Sequence, residues 1–330
     1  MADTAELKTD GRRNGKRRKL WVRIIGGLLG ALVLFIGIMF IVNVISTKAE
    51  QKRIDAYGQY VQVDGKKMNV LIQGSGEQTI VLLPGQGTAS PALDFKLLID
   101  ELIPEYKVVV IEPFGYGLSD RTDKERTTEN IIGEIHEAVQ QLGLKRYILM
   151  GHSITGLYSV SYVKAYPDEV QAFVGIDSSV PNQPGMDAKL PLRSMKFLQD
   201  SGLMRLLKAV SGNPYKSLDF DEHTKEQLNL ISNQVSNNPT MINELKHLGS
   251  NFKNAEQLTY PKDLPVLLFA QSNNEHNKQW IPLHEEQAKQ SSQGKLIPME
   301  GPHYLHHTKY KEIAAEFKEY IAKIQLKPAQ

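Results

Sequence analysis

The chain has 330 residues, 41% of them hydrophobic, with a formal net charge of +2 and no cysteine. That supplies one sizeable globular core and no overall basicity of the kind a nucleic-acid partner requires, so none is expected. Disulfides are excluded outright. The positive charge that exists is local. Arg12, Arg13, Lys16, Arg17, Arg18, Lys19 and Arg23 crowd into residues 1–23, directly before an uncharged run from Ile24 to Ile45. That run, about 22 residues, matches the roughly 20 needed to cross a bilayer. Trp21 stands where an interfacial anchor belongs, and the basic cluster predicts a cytoplasmic N-terminus with the rest of the chain outside the cell membrane. A cleaved signal sequence is the rival. Its apolar part is shorter than this one, and Thr47-Lys48-Ala49 is a poor cleavage site. Residues 46–56 read as a polar, helical stalk.

From residue 57 onward the pattern is that of alternating strands and helices. Tyr60–Asp64 and Met68–Ile72, joined by Gly65-Lys66-Lys67, form an opening hairpin. Thr79–Leu83, Tyr106–Ile111, Tyr147–Met150, Ala172–Ile176, Val266–Phe269 and Lys295–Met299 are short, nearly all-apolar runs, as a parallel sheet covered on both faces requires. Ile131, Ile132, Ile135, Ala138, Val139 and Leu142 repeat at helical spacing until Gly143. Between Pro181 and Tyr260 the strand pattern stops. Leucine-rich helical stripes take its place, broken at Asn213-Pro214 and Asn238-Pro239. Phe197 and Met204 are large side chains there whose direction periodicity does not decide.

The strand Tyr147–Met150 runs straight into Gly151-His152-Ser153-Ile154-Thr155-Gly156, which sets a serine on a sharp strand-to-helix turn. On that motif, together with Glu112-Pro113-Phe114-Gly115-Tyr116-Gly117-Leu118-Ser119-Asp120, the chain resembles the α/β-hydrolase superfamily over about residues 57–325. It departs from the usual Gly-x-Ser-x-Gly elbow at Thr155. The resemblance implies an α/β-hydrolase fold: a mostly parallel eight-stranded sheet flanked by helices, over residues 57–330, with a helical cap at about 181–260. It implies Ser153 as nucleophile, and Gln86 and Ile154 as backbone oxyanion donors, with Pro84 where relatives carry a histidine. Gly115-Tyr116-Gly117 lacks the third glycine of a dinucleotide loop, so no cofactor is expected.

A serine nucleophile needs a base, and near neutral pH that is usually histidine. Of nine histidines, His303 follows the last strand, where the superfamily carries its catalytic one. His306 and His307 complete a His-x-x-His-His cluster. A metal site there is the competing reading, weakened by the absence of an interleaved acid, and the pair fits a solvent-facing helix start. His152 is expected to pack or line the pocket. Two carboxylates qualify as the acid. Asp177 ends the sixth strand, and Glu275 lies next to Asn274, which occupies the position where many relatives have their acid after strand seven. Asp177 is preferred, with capping of the following turn as its bland alternative.

The expected activity is that of a serine hydrolase acting on a small-molecule ester or acyl substrate, small or medium carboxylic esters first; the anchor, rather than any motif, suggests lipid-derived ones. Peptidase, thioesterase and haloperoxidase relatives share these residues. A non-catalytic binding protein on the same fold is the reading from another class. A serine at the elbow argues against epoxide hydrolase or dehalogenase chemistry, which in related enzymes uses an aspartate there.

Overall fold

In the computed structural model, residues 3–275, 277–324 and 326 are described, with side chains from Arg17 onward; those of Arg12, Arg13 and Lys16 lie outside the described residues. The first helix, α1 (Asp3–Gln51), is continuous through the apolar run and most of the expected stalk. It is long and apolar enough to cross a membrane by length and composition. Then come β1 (Gln59–Val63), β2 (Lys66–Gln73), β3 (Thr79–Leu83), α2 (Pro91–Asp94), α3 (Lys96–Leu102) and β4 (Lys107–Ile111). They are followed by α4 (Thr128–Gln141), β5 (Tyr147–His152), α5 (Thr155–Ala165) and β6 (Val170–Ile176). Four helices come next: α6 (Leu192–Asp200), α7 (Leu203–Ser211), α8 (Glu222–Val235) and α9 (Pro239–Ala255). The chain ends with β7 (Val266–Gln271), α10 (Trp280–Lys289), β8 (Lys295–Met299), α11 (Leu305–Thr308) and α12 (Tyr310–Lys323).

The strands make one eight-stranded sheet in the order β1-β2-β4-β3-β5-β6-β7-β8. β2 is antiparallel to both neighbours, and every pairing from β4 through β8 is parallel. Parallel strands require crossovers, and these cover both faces. One face packs α4 and α5 over Val81, Leu149 and Phe173; the other packs α3 and α12 over Val110, Met150 and Phe269. This is why the strand sequences are apolar throughout instead of alternating.

Helices α6 to α9 form the cap inserted between β6 and β7. α9 holds it to the core through a buried carboxylate: Glu244 accepts hydrogen bonds from Tyr116 (2.6 Å) and Tyr158 (2.7 Å). The Gly115-Tyr-Gly117 loop after β4 wraps a second buried acid, Glu112, which accepts from Asn69, the Leu118 and Ala92 N–H groups and Tyr57. A Cβ on Gly117 would lie 1.8 Å from the Glu112 carboxylate, so only glycine fits there.

Candidate active site

Ser153 sits at the C-terminal end of β5 with φ of 52°, a left-handed conformation that non-glycine residues rarely adopt. Backbone bonds hold it there. Its N–H donates to Ile176 O (3.2 Å), and its carbonyl accepts from Gly156 (3.0 Å) and Ser179 (2.7 Å). The crowding demands small neighbours: a Cβ on Gly156 would come 2.2 Å from Ser179 O, and one on Gly151 would come 2.2 Å from the Thr155 methyl.

Thr155, the departure in the elbow, is accommodated without separating helix from strand. Its methyl rests over Gly151, and its hydroxyl donates to Pro84 O at 2.7 Å. Pro84 opens the loop that carries Gln86. The next residue, Gly85, is pressed against His152 and Ser153; a Cβ there would meet His152 Nδ1 at 2.4 Å.

The loop after β8 brings His303 across the end of the sheet. Its Nε2 lies 2.9 Å from Ser153 Oγ and its Nδ1 2.6 Å from Asp177 Oδ2. A neutral imidazole therefore donates from Nδ1 to the carboxylate and accepts the serine proton at Nε2. Asp177 follows β6 directly, with φ of 43° and no solvent exposure. Its other oxygen, Oδ1, accepts from the Gln271 N–H (2.7 Å) and from Trp280 Nε1 (2.6 Å). Three donors thus fix a buried carboxylate. Glu275 stands exposed on the loop after β7, where Asn274 Oδ1 accepts from the Asn277 N–H. Gln86 lies on the β3–α2 loop, half-buried, and Ile154 opens α5.

His152 is buried beneath this site. Its Nε2–H donates to the His303 carbonyl at 3.0 Å, which ties the elbow to the histidine loop. Burial, reinforced by His306 and His303, pushes its pKa well below the ordinary imidazole range. It is therefore a neutral packing group at neutral pH.

His306 and His307 do not face solvent at a helix start, as expected from their sequence. Both are buried on α11, and each donates from Nε2 to a different oxygen of Asp94, at 2.7 and 2.9 Å. Burial lowers the His306 pKa to about 4. The Asp94 carboxylate is buried too, yet the two imidazoles outweigh that and hold it well below the usual carboxylate range. The three residues have a donor set and spacing compatible with a metal ion. Their hydrogen bonds, however, already pair both carboxylate oxygens and anchor the His303 loop to α2. Sequence reasoning missed both Asp94 and Trp280, since no motif marks either.

A cavity of about 420 Å³ opens beside the site, between the Gly87-Thr88-Ala89 segment and Pro302, Tyr304 and His307, with Tyr215, Leu218 and Ser232 of the cap opposite. Its walls are mainly apolar, as small-molecule sites usually are.

The model of the alpha/beta hydrolase fold family matches residues 78–214, which span β3, the elbow and the start of the cap. The chain has the α/β-hydrolase fold. The Bacillus subtilis (strain 168) protein YbdG, whose name states no activity, is 29% identical over 325 residues, covering 93% of this chain and all of that one. A Paraburkholderia phymatum 2-hydroxy-6-oxononadienedioate/2-hydroxy-6-oxononatrienedioate hydrolase is 26% identical over 187 residues, covering 54% of this chain and 64% of its own length. Among solved structures, the epoxide hydrolase VrEH1 from Vigna radiata superposes with a TM-score of 0.62 at 17% identity, over 81% of this chain and 98% of that one. At that identity the likeness shows the fold alone.

Proposed function

We propose that this α/β hydrolase is a serine hydrolase that cleaves carboxylic esters through an acyl-enzyme, using Ser153, His303 and Asp177. The observation that carries this reading is the continuous hydrogen-bonded line from Ser153 Oγ through His303 to the buried Asp177 carboxylate. His303 Nε2 takes the Ser153 proton as Oγ attacks the substrate carbonyl, and the N–H groups of Gln86 and Ile154 receive the developing oxyanion. His303 then gives that proton to the leaving alkoxide, which departs as the alcohol. Water, deprotonated by His303, hydrolyses the acyl-enzyme and releases the acid. Asp177 keeps His303 in the required tautomer and stabilises its charged form.

The mainly apolar cavity beside the site favours an acyl chain of small or medium size over a charged substrate. We further take Ile24–Ile45 as a retained single membrane span with a cytoplasmic N-terminus and the hydrolase domain outside, on the strength of its length and the basic residues before it. Lipid-derived esters are then within reach of the site. The test is labelling with a fluorophosphonate followed by a screen of ester chain lengths. Modification of Ser153, abolished in Ser153→Ala, is the expected result; modification of another serine overturns the assignment.

A further inference from the structure

The cap is built onto the outer end of α1. Along that helix Ile36, Met39, Asn43, Ser46, Thr47 and Glu50 are half-buried while their neighbours are exposed, a spacing of three and four residues that marks one contact face. The face meets the turn between α6 and α7. Asn43 donates to Gln199 O (3.3 Å), and Arg205 donates to Asn43 Oδ1 (3.2 Å), Thr47 Oγ1 (3.2 Å) and Glu50. Gly202, φ 80°, lies so close that a Cβ would meet Met39 O and Asn43 Cβ at 2.7 Å. Asn43 is the polar residue of the apolar run, and its amide is spent on the cap.

Contact at Met39 sets the depth. Ile45 ends the run, so Met39 lies six residues inside it, about 9 Å at 1.5 Å per residue. Amphipathic helices that lie in a membrane surface immerse their apolar faces by about 5–10 Å. The polarity of α7 is also inverted relative to a helix in water. Arg205 turns onto α1, and Lys208 turns onto Ser232 of α8 and Ser236 just beyond its end, while Leu207 (52% exposed) and Val210 (81% exposed) point outward. Phe197 on α6 is 51% exposed, and exposed Arg193 stands one turn before it.

We propose that the α6–α7 hairpin is a membrane-surface element, its outward apolar face seated in the leaflet from which α1 emerges. The cap, whose α8 and the loop between α7 and α8 help to wall the cavity, is thereby held against the lipid. This rests on the reading of Ile24–Ile45 as a retained span, and the experiment separates the two.

Because the chain has no cysteine, single cysteines report single positions. Val210→Cys, Phe197→Cys, Val33→Cys within the span and Lys164→Cys are each labelled with an environment-sensitive fluorophore. Lys164 lies in the last turn of α5, on the sheet edge opposite the cap. The full chain is reconstituted in phosphatidylcholine and phosphatidylglycerol vesicles with or without a spin-labelled lipid quencher, and each variant is checked for an unchanged melting temperature. The expected result is quenching of at least twofold at Val210, Phe197 and Val33 and none at Lys164. Quenching at Val33 with Val210 and Phe197 behaving like Lys164 overturns the proposal while leaving the anchor in place. A Val33 label that is unquenched, or lost with a cleaved segment, overturns the anchor and the proposal with it. Signals at Val210 and Phe197 that follow protein density in the vesicle instead of quencher assign the face to a second copy of the chain, and likewise overturn it.

Discussion

The hydroxyl of Thr155 donates a 2.7 Å hydrogen bond to the carbonyl of Pro84, joining two of the positions at which this chain departs from the usual superfamily motifs. A glycine in place of Thr155 would leave that carbonyl without this donor, and Pro84 has no N–H of its own. The bond crosses from the nucleophile helix to the loop that carries Gln86. It thus sets the separation of the two proposed oxyanion donors.

Thr155→Val keeps the shape and removes the donor. The unpaired buried carbonyl should cost about 1–3 kcal/mol of stability and slow fluorophosphonate labelling about tenfold, whereas Thr155→Ser should stay near the parent. Denaturant unfolding and labelling rates measure both. Equal behaviour of the two variants would mean that the methyl, not the hydroxyl, matters here.

Asp177→Asn should reduce turnover by about 10³–10⁴-fold with little change in KM, because the imidazolium loses its counter-charge and the tautomer its anchor. Trp280→Phe removes one of the donors to Oδ1, leaving the carboxylate charged but less firmly oriented, and should cost about tenfold. Glu275→Gln should be silent. Steady-state kinetics on a chromogenic ester reads all three; a loss at Glu275 equal to that at Asp177 would contradict the proposed acid.

Stability should fall on mild acidification. Inside the fold His306 stays neutral down to about 4, whereas an exposed imidazole titrates near 6.5. The unfolded chain therefore binds a proton between those values that the folded chain refuses. Stability is full above about 6.5 and is lost as the pH falls towards 4, by on the order of 3 kcal/mol from this group. Burial shifts His152 and His284 in the same direction. Melting temperatures at pH 7.0, 5.5 and 4.5 should decline, and the decline should be shallower in His306→Gln even if that variant melts lower at pH 7.

With the N-terminus inside, protease added to intact cells should remove the hydrolase domain and leave a protected fragment containing the first residues. Full protection of the domain would contradict the orientation, and spontaneous release into the medium would point to signal cleavage.

Much of the architecture was legible along the chain because it is local. Thr79–Leu83 and Tyr147–Met150 are apolar throughout, and a strand covered on both faces has no other pattern available to it. The elbow at Gly151–Gly156 announces itself because a strained turn at Ser153 tolerates few neighbours. The apolar run after the arginines likewise needs no tertiary information. What the tertiary structure alone decided are meetings between residues far apart in sequence. Asp94 and His306 are 212 positions apart, Asp177 and Trp280 are 103 apart, and Asn43 and Arg205 are 162 apart. No periodicity encodes such pairs. His306 and His307 therefore read as a polar helix start, although the fold brings a carboxylate to them and buries both. The choice between Asp177 and Glu275 had the same character, since each follows a strand that ends at the same edge of the sheet. It was the crossing of the β8 loop over Asp177 that brought His303 Nδ1 to one carboxylate, and chain connectivity in three dimensions, not local sequence, determines that crossing.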